Sequence, residues 1–274
     1  MNLKDRILFR ITPRVLGRNK KFAKRHEGES CYIFGNGSSI KHYDLKKFDD
    51  RIGIGCNNLF FHKEFNSVNI KYYYTGHSFL YYPFWTNTYN KKFERNLLGK
   101  IYKNKIRLNQ DITYVTSLSD YFSMRGPNIY YCYHFGFPFR GFAHSRMDSA
   151  FTCMESGLVG MLGMAVFMGF TDVTLVGCDY LSFPQRHGRF FETGIRPETS
   201  WEKPLGKKFL FDLRRHADVR VLTLNESYRG HILPHVDYKT LSGDEPLYRE
   251  NDELVSEEDL RDLNLSRMDY RIYP

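Results

Sequence analysis

The sequence has no apolar run approaching the ~20 residues that a membrane span requires, and no leader with a small-residue cleavage site. It has no C-x-x-C pair. Its five cysteines (Cys31, Cys56, Cys132, Cys153, Cys178) stand singly and mostly among apolar neighbours, which argues against a disulfide framework or a thiolate zinc site and predicts reduced core thiols. No G-x-x-x-x-G-K-[ST] occurs and no complete G-x-G-x-x-G, so P-loop and ordinary dinucleotide chemistry lack support. The Asp-x-Asp pair that would hold a divalent ion on a nucleotide sugar is also missing. These absences predict a cytoplasmic protein, or one peripheral to the inner face of the cell membrane.

What is present begins with length and charge. At 274 residues the chain can bury a large core, and its formal charge of +9 favours an acidic partner: nucleotide, acidic sugar, anionic lipid or nucleic acid. The stretch CYIFGNGSSI reads as a buried strand, Cys31 to Phe34, that runs into the loop Gly35-Asn36-Gly37-Ser38-Ser39. Glycines on both sides of an asparagine let backbone amides approach a ligand, and two hydroxyls add donors, so the loop suits a phosphate; a plain strand-to-helix turn has the same composition. Arg51 to Cys56 predicts a second strand ending at Asn57-Asn58, and Ile70 to Thr75 a third ending at Gly76-His77-Ser78. Three polar strand tips in succession place a binding edge on a parallel sheet.

Ser156 to Phe170 predicts a helix that is apolar nearly all round, hence buried, with Ser156-Gly157 at the end where free amides favour an anion. A strand from Asp172 to Val176 follows and ends at Asp179-Tyr180. Ile112 to Thr116 and Val219 to Leu224 predict further strands, and Phe209 to Arg215 a helix. The pattern is α/β, a mostly parallel Rossmann-like sheet with helices on both faces and a small lid. The expected layout is a basic amphipathic arm over 1–29, one domain over 30–242 with lid insertions at about 123–146 and 181–208, and a solvated acidic tail over 243–274. The arm would suit an anionic membrane surface through residues 1–25, or form a solvated terminus. In the first insertion Arg140, His144 and Arg146 are suited to meet an anionic acceptor.

IFGNGSSI at Ile33 to Ile40, GCNNLFF at Gly55 to Phe61 and SGLVGMLGMAVFMGFTDVTLVGCDY at Ser156 to Tyr180 resemble three blocks of the bacterial CMP-dependent sialyltransferases exemplified by the Campylobacter lipooligosaccharide enzymes. The resemblance implies a metal-independent transfer of a sialic acid, Kdo or related ulosonic acid from its CMP donor to a cell-surface glycan or glycolipid, with no cofactor beyond the donor. It places Gly35, Asn36, Gly37, Ser39, Asn57, Ser156 and Gly157 at the CMP donor; of the tyrosines that the family sets after the strand at Asp172 to donate to the departing phosphate, Tyr180 is the only one here. The family's histidine base has no counterpart before the helix at Phe209, since no histidine lies between Gly188 and Arg215. His187 is the first candidate base because a neutral imidazole titrates in the right range; His231 and His235 come next. If configuration is retained, a carboxylate such as Asp179 or Glu192 takes over.

Two other readings remain. A pterin diphosphokinase-like enzyme using ATP and Mg²⁺ has a similar glycine loop, and a non-catalytic protein would bind anionic ligands through the arm. Nucleic acid is disfavoured as a partner because the charge is concentrated in the arm and forms no stripe with stacking aromatics. A homo-oligomer is compatible with the sequence.

Overall fold

The computed structural model describes residues 3–76, 81, 92–179, 189–192, 205–224 and 233–268, with residues 4, 92–97 and 264–268 followed by backbone only. Among them eight strands form one all-parallel sheet: β1 Ser30–Phe34, β2 Ile52–Cys56, β3 Ile70–Thr75, β4 Thr113–Ser117, β5 Ile129–Cys132, β6 Asp172–Val176, β7 Asp218–Thr223 and β8 His235–Asp237. The spatial order is β5-β4-β3-β2-β1-β6-β7-β8, so the chain winds outward from β1 in one direction and then returns to its other side.

The strands read as unbroken apolar runs because both faces are covered. Tyr32 and Phe34 of β1 face one core, shared with Tyr73, Tyr114 and the stripe Leu98, Tyr102 and Ile106 of helix α3 (Lys92–Leu108). Cys31 and Ile33 face the other, shared with Tyr74, Val115 and helix α4 (Gly157–Met168). Every cysteine is free and buried, and burial pushes the Cys56 thiol up to about 12. Helix α5 (Lys207–Leu213) adds Leu210 and Leu213 to the second core. The α/β architecture expected from the sequence is therefore the one observed.

The terminal segments and one insertion differ from expectation. The arm is folded: α1 (Leu3–Ile11) and α2 (Pro13–Leu16), the latter started by a proline where no amide bond is lost, lie beside β5. Asn19 Nδ2 donates to the carbonyls of Tyr131 at 2.8 Å and Met147 at 2.7 Å. The stretch 123–146, expected as an irregular lid, contains β5. Its four residues sit between Gly126-Pro127 and Gly136, and a strand buried on both faces shows no alternation to betray it. The tail is docked and not solvated. Helices α6 (Tyr238–Ser242) and α7 (Asn251–Leu254) lead into α8 (Glu257–Met268), and Leu254, Val255 and Leu263 are buried against the α3 side of the sheet. Two of its acids pair with the body, Asp259 2.8 Å from Lys105 and Asp244 2.7 Å from Lys47, and Arg249 Nη1 donates to Glu64 at 2.7 Å.

Candidate functional site at the tips of β1, β2 and β6

The winding reverses between β1 and β6: the chain after β1 packs on the α3 side (Ile40, Tyr43) and that after β6 on the α4 side (Leu210, Leu213), the arrangement at which α/β sheets open a ligand crevice. The tips there are drawn together by backbone bonds, Gly35 N–H to the Val176 carbonyl and Gly37 N–H to that of Gly177, each at 2.8 Å. Only glycine tolerates this approach at position 35, where a Cβ would lie 2.2 Å from the Gly177 backbone oxygen; a Cβ on Gly37 would lie 2.4 Å from the Asp179 carboxylate and displace it.

That carboxylate fills the donor set which the sequence assigns to a phosphate. Asp179 accepts the Ser39 amide at 2.7 Å and the Ser38 hydroxyl at 3.2 Å, and also the Ser39 hydroxyl. It stays solvent-exposed while doing so. Asn36, by contrast, is buried and works between strands. Its Nδ2 donates to the Cys56 carbonyl at 3.0 Å and its Oδ1 accepts the Asn58 amide at 3.1 Å, so its side chain locks the tip of β1 to that of β2.

Asn57 is the uncommitted amide. It adopts φ +53°, a left-handed conformation that asparagine tolerates better than most residues. Tyr73 Oη donates to its backbone carbonyl at 2.9 Å, while its Oδ1 has no hydrogen-bond partner among the described residues. Its Nδ2 points at the start of α4, 3.0 Å from where a Cβ on Gly157 would sit. Ser156 caps that helix, its Oγ accepting the Val159 amide at 3.2 Å, and it remains exposed with the amides of the first turn beside it. Asn36, Asn57, Ser156 and Gly157 thus converge on one crevice, and Gly35, Gly37, Ser39 and Asp179 form its β6 wall.

Two groups at this edge escape a reading of strand tips alone. Arg189 forms a bridge with Gly37, and the amide of the next residue, Phe190, donates to the Asn36 carbonyl at 3.2 Å. Its guanidinium is close enough to Cys56 to bear on that thiol and, half-exposed beside the loop, lies 3.8 Å from the buried Glu192 carboxylate with which it pairs. His42 stands close to Asp179. Burial lowers its pKa while the Asp179 charge opposes the shift, so the ring is neutral near pH 7 and able to accept a proton. The sequence signal for His42 was its place five residues beyond Gly37; for Arg189 it was the cluster of ionisable residues after β6.

Other expected residues fall elsewhere. His235 opens β8, three strands from β1, and is not brought to the crevice. Arg146 is held by Asp148, with bonds of 3.0 and 2.8 Å, and lies over the Phe167 ring, about 15 Å along α4 from Gly157 at 1.5 Å per residue. Tyr180, His187, His231 and most of the 181–208 insertion lie outside the described residues. No cluster of three or more His, Cys, Asp or Glu is arranged to hold a metal ion among the described residues.

No family model matches this chain, and no curated protein matches it. Among solved structures, it is similar to the sialyltransferase CstII from Campylobacter jejuni in complex with cytidine-5'-monophosphate, with a TM-score of 0.46, 16% identity and coverage of 88% of this chain and 99% of that one. It is also similar to the sialyltransferase CST-II in complex with a trisaccharide acceptor and CMP, with a TM-score of 0.39, 18% identity and coverage of 70% and 80%.

Proposed function

We propose that this chain is a glycosyltransferase that moves a sialic acid, Kdo or related ulosonic acid from its CMP donor to a hydroxyl of a surface glycan, such as a lipooligosaccharide or capsule, without a divalent ion. The observation that carries the reading is the convergence of Asn57 and the exposed Ser156-Gly157 helix start on the β1–β2 tips, with Arg189 alongside. The nucleotide is named by the three sequence blocks, which supply the same residues. In the reaction the acceptor oxygen bonds to the anomeric carbon, the bond from that carbon to the phosphate oxygen breaks, and CMP departs with the electron pair. The first-turn amides of α4 and the Arg189 cation suit the charge that develops on the phosphate. The acceptor's proton passes to a neutral imidazole, His187 or His42, in an inverting reaction. In a retaining one the Asp179 carboxylate first displaces CMP from the anomeric carbon, and the acceptor oxygen then displaces the carboxylate as its proton passes to the imidazole.

Binding is the direct test. CMP in the presence of EDTA should raise the melting temperature, since a ligand of the native state stabilises it. A response to ATP with Mg²⁺ alone would replace this reading with the diphosphokinase one.

A further inference from the structure

An apolar ridge of α1 faces away from the protein, apart from Leu8 and Phe9, which pack inward on the core and on Phe135 and Phe137. Asp5, Leu8 and Thr12 form its inner side: Asp5 is buried and accepts the Tyr133 hydroxyl at 3.1 Å, and Leu8 packs on the core. Leu3, Ile7 and Ile11 remain 73%, 51% and 67% exposed. At 3.6 residues per turn these three fall within an arc of about 80°, centred about 130° from the buried side. Arg6 and Arg10 are exposed along one flank of the ridge, and Arg14 and Arg18 continue beyond it.

Charge identifies what the ridge fits. Residues 1–25 hold nine Lys or Arg and one acid, Asp5, a net +8 of the chain's +9, and that acid is buried. A second copy would bring +8 against +8. Nucleic acid would use the cations and leave the ridge in water. A bilayer carrying anionic headgroups satisfies both, with acyl chains for Leu3, Ile7 and Ile11 and phosphates for the arginines. Among the described residues no helix is long and apolar enough to cross a membrane, so the contact would be interfacial. Tyr133 follows β5 directly, which puts α1 at the end of the sheet where the crevice opens.

We infer that α1 docks this protein, ridge inward, on an anionic membrane surface. The inference goes beyond the proposed reaction and does not need it. The test is co-flotation of the full chain with vesicles of phosphatidylcholine alone or with about 30% phosphatidylglycerol, at about 0.1 and 0.5 M salt. Binding is expected to the anionic vesicles only. Leu3→Ser/Ile7→Ser/Ile11→Ser should weaken it about tenfold at both salts, and Arg6→Gln/Arg10→Gln about tenfold at the lower salt. The substituted side chains are exposed, and an unchanged melting temperature verifies folding of each variant. Absence of flotation with anionic vesicles overturns the inference, as does binding indifferent to the ridge substitutions. So does a wild-type dimer in sedimentation that the ridge variant abolishes, which would make a second copy the occupant. CMP stabilisation is read separately in the same preparations, so either proposal can fail alone.

Discussion

The tips of β1, β2 and β6 and the tips of β3 and β4 lie along one edge of one sheet, and each carries an aspartate with hydroxyl donors. At the first, Asp179 takes three donors and stays in water. At the second, Asp120 is fully buried; Thr116 Oγ1 donates to it at 2.5 Å, and its Oδ1, like Tyr74 Oη, has no partner among the described residues. Burial pushes the Asp120 carboxyl up to about 7, against the Thr116 bond. Similar residue types make an open wall in one place and, in the other, a sealed core that holds its proton to about pH 7. The difference lies in what covers them.

The open tip is probed most strongly through its base. Replacing the true base by alanine should cost about a thousandfold in turnover with CMP affinity retained, and the competition is between His187→Ala and His42→Ala. If both variants transfer at the wild-type rate, the imidazole mechanism is wrong and Asp179→Asn becomes the deciding variant.

The sealed tip is probed by pH. The folded Asp120 holds its proton up to about 7, whereas the unfolded group releases it near 4, so the folded state binds the extra proton between these values and stability falls as pH rises through them. Buried His62 acts oppositely: burial lowers it to about 4, so stability is lost as pH falls from its ordinary 6.5. The two slopes offset one another in the wild type. Asp120→Asn should gain stability relative to wild type by about 4 kcal/mol between pH 4 and 8, at 1.4 kcal/mol per unit, in urea titrations. A flat difference would mean that water reaches Asp120.

Within the open tip the two asparagines separate structure from binding. Asn36→Ala should lower the unfolding free energy by about 2 kcal/mol, because it leaves the Cys56 carbonyl and Asn58 amide buried without their partner. Asn57→Ala should cost about 1 kcal/mol, for alanine in the left-handed backbone, and weaken CMP about tenfold by calorimetry. The reverse ranking would put the nucleotide on β1 and not on β2.

The central strands were legible because a buried parallel strand is an unbroken apolar run bounded by turn residues, as in Cys31 to Phe34 and Asp172 to Val176. The edges were not. β8 is three residues long, β5 hides among Tyr, Gly and Pro, and the docking of the tail rests on Leu254, Val255 and Leu263 meeting partners remote in sequence. In the site, the Ser156 cap followed from its place before the helix. The commitment of Asn36 did not, because it depends on which strand pairs with β1.

The lopsided charge has a consequence for handling the protein. Beyond residue 25 the chain holds 31 basic and 30 acidic side chains, from 40 less 9 and 31 less 1. Replacing the arm's cations by glutamine, with buried Leu16, Asn19 and Phe22 left in place, would bring the isoelectric point to near neutrality and remove the mutual repulsion that keeps molecules dispersed, so precipitation in ordinary buffers should follow.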